Sequence, residues 1–146
     1  MIQNKENFPS ALSEEESERR AYARAVKILA AGDNTKRTLV RKLCERGFPR
    51  ESAEAAVARL TEEGYIREEE LLLRQLSIYA KRKWGPKKFL PNLIDKGFSR
   101  ADIEAALRLA REEGIYDAEA IKETLLSELP TEDASARRAW LYKHGF

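Results

Sequence analysis

Apolar residues recur along most of the chain every three or four positions, which is the spacing of one buried face of an α-helix. No alternating run of β-branched residues bounded by turns is present, so no strand is predicted. Glycine, proline and short polar segments interrupt the helical pattern. The pattern predicts an all-α protein with eight helices, at about residues 14–31, 36–46, 50–63, 68–83, 86–96, 100–113, 118–129 and 135–144.

Capping residues mark the ends of several of these helices. Ser13 followed by Glu16 forms a capping box for the first helix, and Ser99 followed by Asp102 does the same for the sixth. Gly47 stands where a helix C-terminus favours a residue with positive φ. These residues predict helix boundaries from local chemistry alone.

The apolar spacing also predicts which side chains face inward. On the first helix the predicted inward residues are Tyr22, Ala25, Val26 and Leu29. The third and sixth helices each carry a pair of adjacent alanines at the same place, so a neighbouring helix is expected to approach closely.

A repeat with an offset of 50 residues underlies this pattern. Leu43, Gly47 and Phe48 recur as Leu93, Gly97 and Phe98, and ten of the 22 residues from 43 to 64 are identical to residues 93 to 114. A repeat of this kind is typical of stacked helical units that bury their apolar faces against each other. We therefore expect tandem three-helix repeats.

The repeat predicts the organisation of the chain. A flexible tail at 1–12 is expected to precede a first repeat at 13–66 and a second at 67–116, and residues 117–146 form an incomplete third repeat. Because the third repeat lacks its third helix, apolar surface such as Trp140 should be exposed. We expect this segment to fold back on the second repeat, to fray, or to pair with another molecule.

Charge is strongly segregated along the chain, although the net charge is only +2. Residues 34–60 and 81–100 are basic, whereas 101–133 are acidic. This polarity suits a charged partner such as nucleic acid or a protein bound on it, and ordinary solvated helix faces are the competing interpretation. With one Cys, no apolar segment of membrane length and no secretion signal, a cytoplasmic protein is expected.

No group of residues supports catalysis. The chain has one His and one Cys, which is too few for common metal sites, and no glycine-rich nucleotide-binding motif. We expect no enzyme activity, no cofactor and no metal.

The strongest candidate for function is the segment from Lys81 to Lys88, which we call the basic turn. It contains five cations together with Trp84 and a Gly-Pro step. Lysine and arginine neutralise phosphate or carboxylate, and Trp stacks on a base or packs against a partner. The alternative is that Trp84 fills the core while the cations are solvated. The predicted partner-binding residues are Lys36, Arg37, Arg41, Lys42, Lys81, Arg82, Lys83, Trp84, Lys87, Lys88, Arg137 and Arg138. Among them, Arg37, Arg41 and Lys42 on the second helix and Lys87 and Lys88 on the fifth are predicted to face outward, and stacked repeats would join them into a continuous basic stripe.

Three sets of residues resemble the repeats of the RecX family of regulatory proteins. The first set contains Ala25, Ile28, Leu29, Thr35, Thr38, Leu39, Lys42, Leu43, Gly47 and Phe48, and the second contains Tyr79, Trp84, Gly85, Pro86, Phe89, Leu93, Lys96, Gly97 and Phe98. The third contains Arg137, Arg138, Leu141, His144, Gly145 and Phe146.

The resemblance implies tandem three-helix units in an elongated, curved α-helical protein. It also implies a function in homologous recombination and DNA repair: binding RecA filaments on single-stranded DNA and restraining recombinase and ATPase activity, with weaker affinity for single- or double-stranded DNA. We expect a monomer. A DNA-binding helical protein with nucleic acid as its main target is the alternative, and a structural adaptor is a third hypothesis.

Overall fold

The computed structural model describes residues 13–146, so the predicted tail lies outside the described residues. Within this range the chain forms eight α-helices and no strand, which confirms the all-α prediction. The helices are α1 (Glu14–Ala31), α2 (Lys36–Glu45), α3 (Arg50–Glu62), α4 (Glu68–Lys81), α5 (Pro86–Asp95), α6 (Arg100–Glu112), α7 (Ala118–Ser127) and α8 (Ala134–Lys143).

Side-chain caps begin most of these helices. The Ser13 hydroxyl accepts the Glu16 N–H at 3.2 Å, and the Ser99 hydroxyl accepts the Asp102 N–H at 3.2 Å. Thr35 caps α2 in the same manner, with its hydroxyl 3.1 Å from the Thr38 nitrogen. Each bond satisfies one of the backbone donors that a helix N-terminus leaves without an intrahelical partner.

A helix end in which glycine is followed by phenylalanine occurs three times in the described chain. Gly47, Gly97 and Gly145 have φ values of 100°, 97° and 95°, in the left-handed region that favours glycine. The following phenylalanine donates its N–H to the carbonyl of the leucine five residues earlier at 3.2, 3.2 and 3.0 Å. This is the 6→1 bond of a Schellman motif, so the repeat seen in the sequence corresponds to a repeated helix end.

The described chain divides into two compact units. Unit 1 runs to Glu68 and contains α1, α2 and α3, which pack on one another. Its core includes Leu39, Leu43, Phe48, Val57 and Leu60.

One residue of the predicted inward face of α1, Val26, is wrongly placed, whereas Ala25 is buried and Tyr22 and Leu29 pack against the core. Val26 is 44% exposed, whereas Ala21 and Ala25 of the same helix are fully buried. α1 therefore turns its small residues toward α3, whose Ala53 and Ala56 are also fully buried. Small side chains on both helices allow their backbones to approach closely.

Unit 2 spans Glu69–Phe146 and includes α5 to α8 and nearly all of α4. Its core centres on Leu72, Leu76, Phe89, Leu93 and Ile103, and extends to Leu125 of α7.

The fold-back alternative for the last segment agrees with the structure, because backbone atoms after α8 contact the start of α5. The expectation that Trp140 is exposed is wrong. It is half-buried, and its Nε1–H donates to the Leu125 carbonyl at 2.8 Å. In the described part of the chain, no helix is both long and apolar enough to cross a membrane.

Candidate partner-binding surface

The basic turn joins α4 to α5 inside unit 2. Lys83 has a φ of +57°, which reverses the chain direction after α4, and the Trp84 N–H then donates to the Tyr79 carbonyl at 2.9 Å. Gly85 is the N-cap of α5 and Pro86 its first residue, a position where proline costs no backbone bond. These features fix the turn so that its side chains lie around Trp84.

Trp84 lies at the outer end of a stack of aromatic rings. Its ring stacks on Tyr79 at 5.5 Å between centroids, and Tyr79 stacks on Phe89 at 5.1 Å. Tyr116 meets Phe89 edge to face and donates its hydroxyl to the Trp84 carbonyl at 2.6 Å. Trp84 is half-buried, so it contributes to the core and also keeps ring surface accessible. The alternative that Trp84 fills the core is therefore partly right, and its contact with a partner stays a prediction.

Burial raises the pKa of two tyrosine hydroxyls in this stack. Loss of solvent raises the pKa of Tyr116 well above the usual value of 10.0, and it also raises the pKa of Tyr79. Both hydroxyls are therefore neutral at physiological pH, and Tyr116 retains the proton that it donates to Trp84.

Exposed cations surround this aromatic surface. The Lys88 ammonium lies 4.8 Å from the centre of the Trp84 ring, and the Arg82 guanidinium lies 5.2 Å from it. Lys87 places its ammonium 5.6 Å from the centre of the Tyr142 ring on α8. Cations at these distances are attracted to the ring faces, which limits their motion while they stay open to solvent. Lys81 is exposed at the same end of α4.

Two predicted cations are engaged within the protein. Lys83 is half-buried and forms an ion pair with Glu128, just past the end of α7. Lys42 was predicted to face outward, but it is half-buried and donates to the Asn34 side-chain oxygen at 2.6 Å. Asn34 is itself buried, and it needs this partner to satisfy its amide oxygen. The prediction that Lys42 is freely exposed is therefore wrong.

Lys36, Arg37 and Arg41 are the exposed cations of α2 in unit 1. Arg41 lies 3.7 Å from Glu45 on the same helix, an exposed pair that contributes little to stability. The Lys36 backbone N–H donates to a Glu68 carboxylate oxygen at 2.7 Å. Basic side chains and an acidic cap thus meet at the start of this helix. The stripe of basic charge across both repeats stays a prediction.

Arg137 and Arg138 lie on α8. Arg138 is exposed, whereas Arg137 is half-buried and directs its guanidinium toward the Thr131 carbonyl at 3.4 Å. Tyr142 was not predicted, although it is 72% exposed and contacts a predicted cation. The only feature of the sequence that could have indicated Tyr142 is its position one helical turn before Gly145 and Phe146.

The end of α8 closes on the basic turn through backbone groups. The Gly85 N–H donates to the His144 carbonyl at 2.6 Å, and the Lys87 N–H donates to the Gly145 carbonyl at 2.9 Å. A Cβ atom built on Gly85 would lie 2.4 Å from the Gly145 oxygen, and one on Gly145 would lie 2.6 Å from the Lys88 Cβ. Neither glycine accepts a side chain without movement of the backbone. We call this contact the glycine clasp.

Residues 13–146 contain no group of three or more His, Cys, Asp or Glu side chains that could hold a metal ion. What the basic turn offers is charge and aromatic surface.

Comparison with known proteins identifies similar sequences and a similar fold. Residues 21–60 match the family model for the first three-helix domain of RecX. Regulatory protein RecX of Pseudomonas fluorescens is 40% identical over 69 residues, which are 47% of this chain and 44% of the relative. Regulatory protein RecX of Stenotrophomonas maltophilia is 31% identical over 81 residues, 56% of this chain and 50% of the relative. The chain spans about half the length of the curated relatives it matches.

A crystal structure of regulatory protein RecX has the same fold. It superposes with a TM-score of 0.66 at 21% identity, covering 91% of this chain and 68% of the other. The likeness in fold thus extends well beyond the residues matched by the family model. Together, the sequence matches and the shared fold confirm that this chain resembles the RecX family of regulatory proteins.

Proposed function

We propose that this chain is a non-enzymatic regulator that binds RecA-type recombinase filaments on single-stranded DNA and inhibits their recombinase and ATPase activity. The match of residues 21–60 to the first RecX three-helix domain carries this proposal. The curated relatives are named as regulatory proteins, which supports a regulatory role.

The distribution of charge supports a partner that is itself charged. Lys36, Arg37 and Arg41 are exposed on α2, and Arg82, Lys87 and Lys88 are exposed beside the aromatic surface of unit 2. Such cations contact phosphates of the bound DNA or acidic side chains of the recombinase, and they speed association with either. The protein acts by occupying the filament, so it needs no catalytic group of its own.

Titration into a RecA ATPase assay on single-stranded DNA tests the proposal. We expect the wild-type protein to lower the rate of ATP hydrolysis and the double variant K87E/K88E to lower it much less. Acidic residues in the first turn of α5 are favoured by the helix dipole, so this variant should retain its fold. The matched control is R108E/R111E, which makes the same charge change at two exposed positions of α6.

Two results would contradict the proposal in different ways. If the wild-type protein leaves ATP hydrolysis unchanged at every concentration, the regulatory function is wrong. If K87E/K88E inhibits as strongly as wild type, the filament contact does not lie at the basic turn.

A DNA-binding protein with nucleic acid as its main target is the second candidate function. The Trp84 ring between Arg82 and Lys88 favours it, because single-stranded nucleic acid is held by stacking surfaces flanked by cations. Strong binding to DNA that falls steeply with salt, without any effect on RecA, would select this function.

A further inference from the structure

Tyr142 is the most exposed of the large hydrophobic residues in the described chain. It is 72% exposed, whereas its neighbours on α8, Trp140 and Leu141, pack against the core of unit 2. The core therefore does not explain an aromatic residue at this position. Tyrosine is enriched where proteins contact their partners, because its ring is large and flat and its hydroxyl tolerates water.

Cations accompany the Tyr142 ring. Lys87 at the start of α5 places its ammonium 5.6 Å from the centre of the ring. Arg138 is exposed and precedes Tyr142 by four residues, so these two side chains lie on the same face of α8. The exposed ring is thus part of a positively charged surface.

Trp84 and Lys88 form a second pair of the same kind. The Lys88 ammonium lies 4.8 Å from the centre of the Trp84 ring, and this ring is only half-buried. Lys87 and Lys88 are adjacent in the first turn of α5, so both ring–cation pairs meet at that turn. We call Trp84, Lys87, Lys88, Arg138 and Tyr142 the two-ring surface.

The glycine clasp holds the two halves of this surface together. The Lys87 N–H donates to the Gly145 carbonyl at 2.9 Å, and Gly145 follows Tyr142 by only three residues. Leu141 and Phe146 pack against the core of unit 2, which anchors the same end of α8. Tyr142 is therefore kept beside Lys87 without being buried.

Charge and ring surface together indicate what kind of partner fits. Residues 81–88 contain five Lys or Arg residues and residues 134–146 contain three, and neither segment contains Asp or Glu. Such a surface attracts a polyanion. Single-stranded nucleic acid supplies phosphates for the cations and unpaired bases that stack on accessible rings. In a duplex the bases are stacked on one another, so they are not available to a protein ring.

We propose that Tyr142 and Trp84 are two base-stacking positions of one binding surface for single-stranded nucleic acid. Lys87, Lys88 and Arg138 contact its phosphates. The inference rests on the proposed function, in which the partner filament contains single-stranded DNA, and it adds α8 to the contact. Because every base has a flat face, this surface binds a strand without reading its sequence.

Three substitutions of exposed tyrosines separate stacking from other effects. Tyr142→Ala removes the ring at an exposed position of α8, so the variant should retain its fold. Tyr142→Phe removes the hydroxyl and retains the ring. Tyr65→Ala is the matched control, because Tyr65 is 67% exposed and lies in unit 1.

The experiment measures binding of each variant to two fluorescent strands by anisotropy at fixed ionic strength, with helix content checked by circular dichroism. One strand is an oligothymidylate, and the other is an abasic strand of the same length, which has the phosphates and lacks the bases. We expect Y142A to bind the oligothymidylate about fivefold more weakly than wild type, or weaker still, since each stacked base contributes to affinity. Its affinity for the abasic strand should be unchanged, and Y142F and Y65A should bind both strands as wild type does.

Equal affinity of Y142A and wild type for the oligothymidylate overturns the proposal, and so does an absence of binding by wild type. Equal losses by Y142A on both strands, or a loss by Y142F as large as that by Y142A, also overturn it, because the ring then does not act by stacking on a base.

These outcomes are distinct from failure of the proposed function, which the RecA ATPase titration with wild-type protein measures independently. If wild type inhibits RecA and Y142A binds the oligothymidylate as wild type does, the function stands and the stacking position does not. If wild type leaves RecA unaffected and Y142A loses affinity for the oligothymidylate alone, the stacking position stands and the function does not.

Discussion

The hydrogen bond from Tyr116 to the Trp84 carbonyl should make a measurable contribution to the stability of unit 2. The bond is 2.6 Å long and Tyr116 is only 3% exposed. Tyr116→Phe retains the edge-to-face contact with Phe89 and removes only the hydroxyl. Loss of such a bond, with the carbonyl left unpaired, costs about 1–2 kcal/mol.

Tryptophan fluorescence isolates this effect to one unit. The chain has two tryptophans, Trp84 and Trp140, and both lie in unit 2, so the urea transition seen by their emission reports on that unit alone. With a denaturant slope of about 1 kcal/mol per molar urea, the midpoint should fall by about 1–2 M. Tyr142→Phe is the control, because Tyr142 is largely exposed and its ring contact with Lys87 is kept.

Equal urea midpoints for Y116F and wild type would refute this reasoning. They would mean that water or a relaxed backbone satisfies the Trp84 carbonyl as well as the tyrosine does. A fall in midpoint for Y142F as large as that for Y116F would also refute it, since the loss would then have nothing to do with the buried bond.

Two further predictions concern the pH dependence of stability and the N-terminus of α2. The pKa of Tyr116 is raised in the folded state, so its contribution to stability is complete below about pH 10 and is lost as pH rises above that value. The urea midpoint of the wild-type protein should therefore be lower at about pH 11 than at about pH 8. A fall of equal size in Y116F would contradict this. Glu68→Ala removes the acceptor of the Lys36 N–H, and a lost cap of about 1 kcal/mol should speed hydrogen exchange at the Lys36 amide about fivefold. Glu69→Ala, at an exposed neighbouring position, should leave that exchange rate unchanged, and equal rates in both variants would exclude Glu68 as a cap.

Helix starts could be predicted from sequence because caps are local. Ser13, Thr35 and Ser99 each bond to a backbone N–H three residues later, and no distant residue is needed. The end of α1 was predicted correctly, whereas the ends of the other seven described helices were predicted one or two residues too long. The residue before each positive-φ glycine, such as Arg46 with φ −84° and ψ 0°, resembles a helical residue in sequence but lies outside the regular helix.

Periodicity predicted the inward face of α1 only in part. Periodicity gives weight to large apolar side chains, and it therefore placed Val26 in the core. The close approach of α3 instead buries Ala21 beside the predicted Ala25, because a larger side chain would hold the two helices apart. Side-chain size has to be matched across two helices, and one helix alone does not contain that information.

The residues of the candidate site could be predicted from the sequence, but the partners of its cations could not. Arg82, Lys87 and Lys88 are exposed as expected, whereas Lys83 is held by Glu128, which is 45 positions away in sequence. Glu128 can be identified as the partner of Lys83 only in the folded structure, where the end of α7 lies beside the basic turn.

Position 85 requires glycine because a residue remote in sequence, Gly145, lies against it. Its own backbone angles suit any residue, and the residue 50 positions earlier, Thr35, performs the same N-cap role with a side chain. Gly145 needs glycine both for its positive φ and for its close contact with Lys88, but Gly85 needs it only because α8 docks there. In related sequences, a side chain at the position of Gly85 would therefore mark a protein in which the helix that corresponds to α8 docks elsewhere.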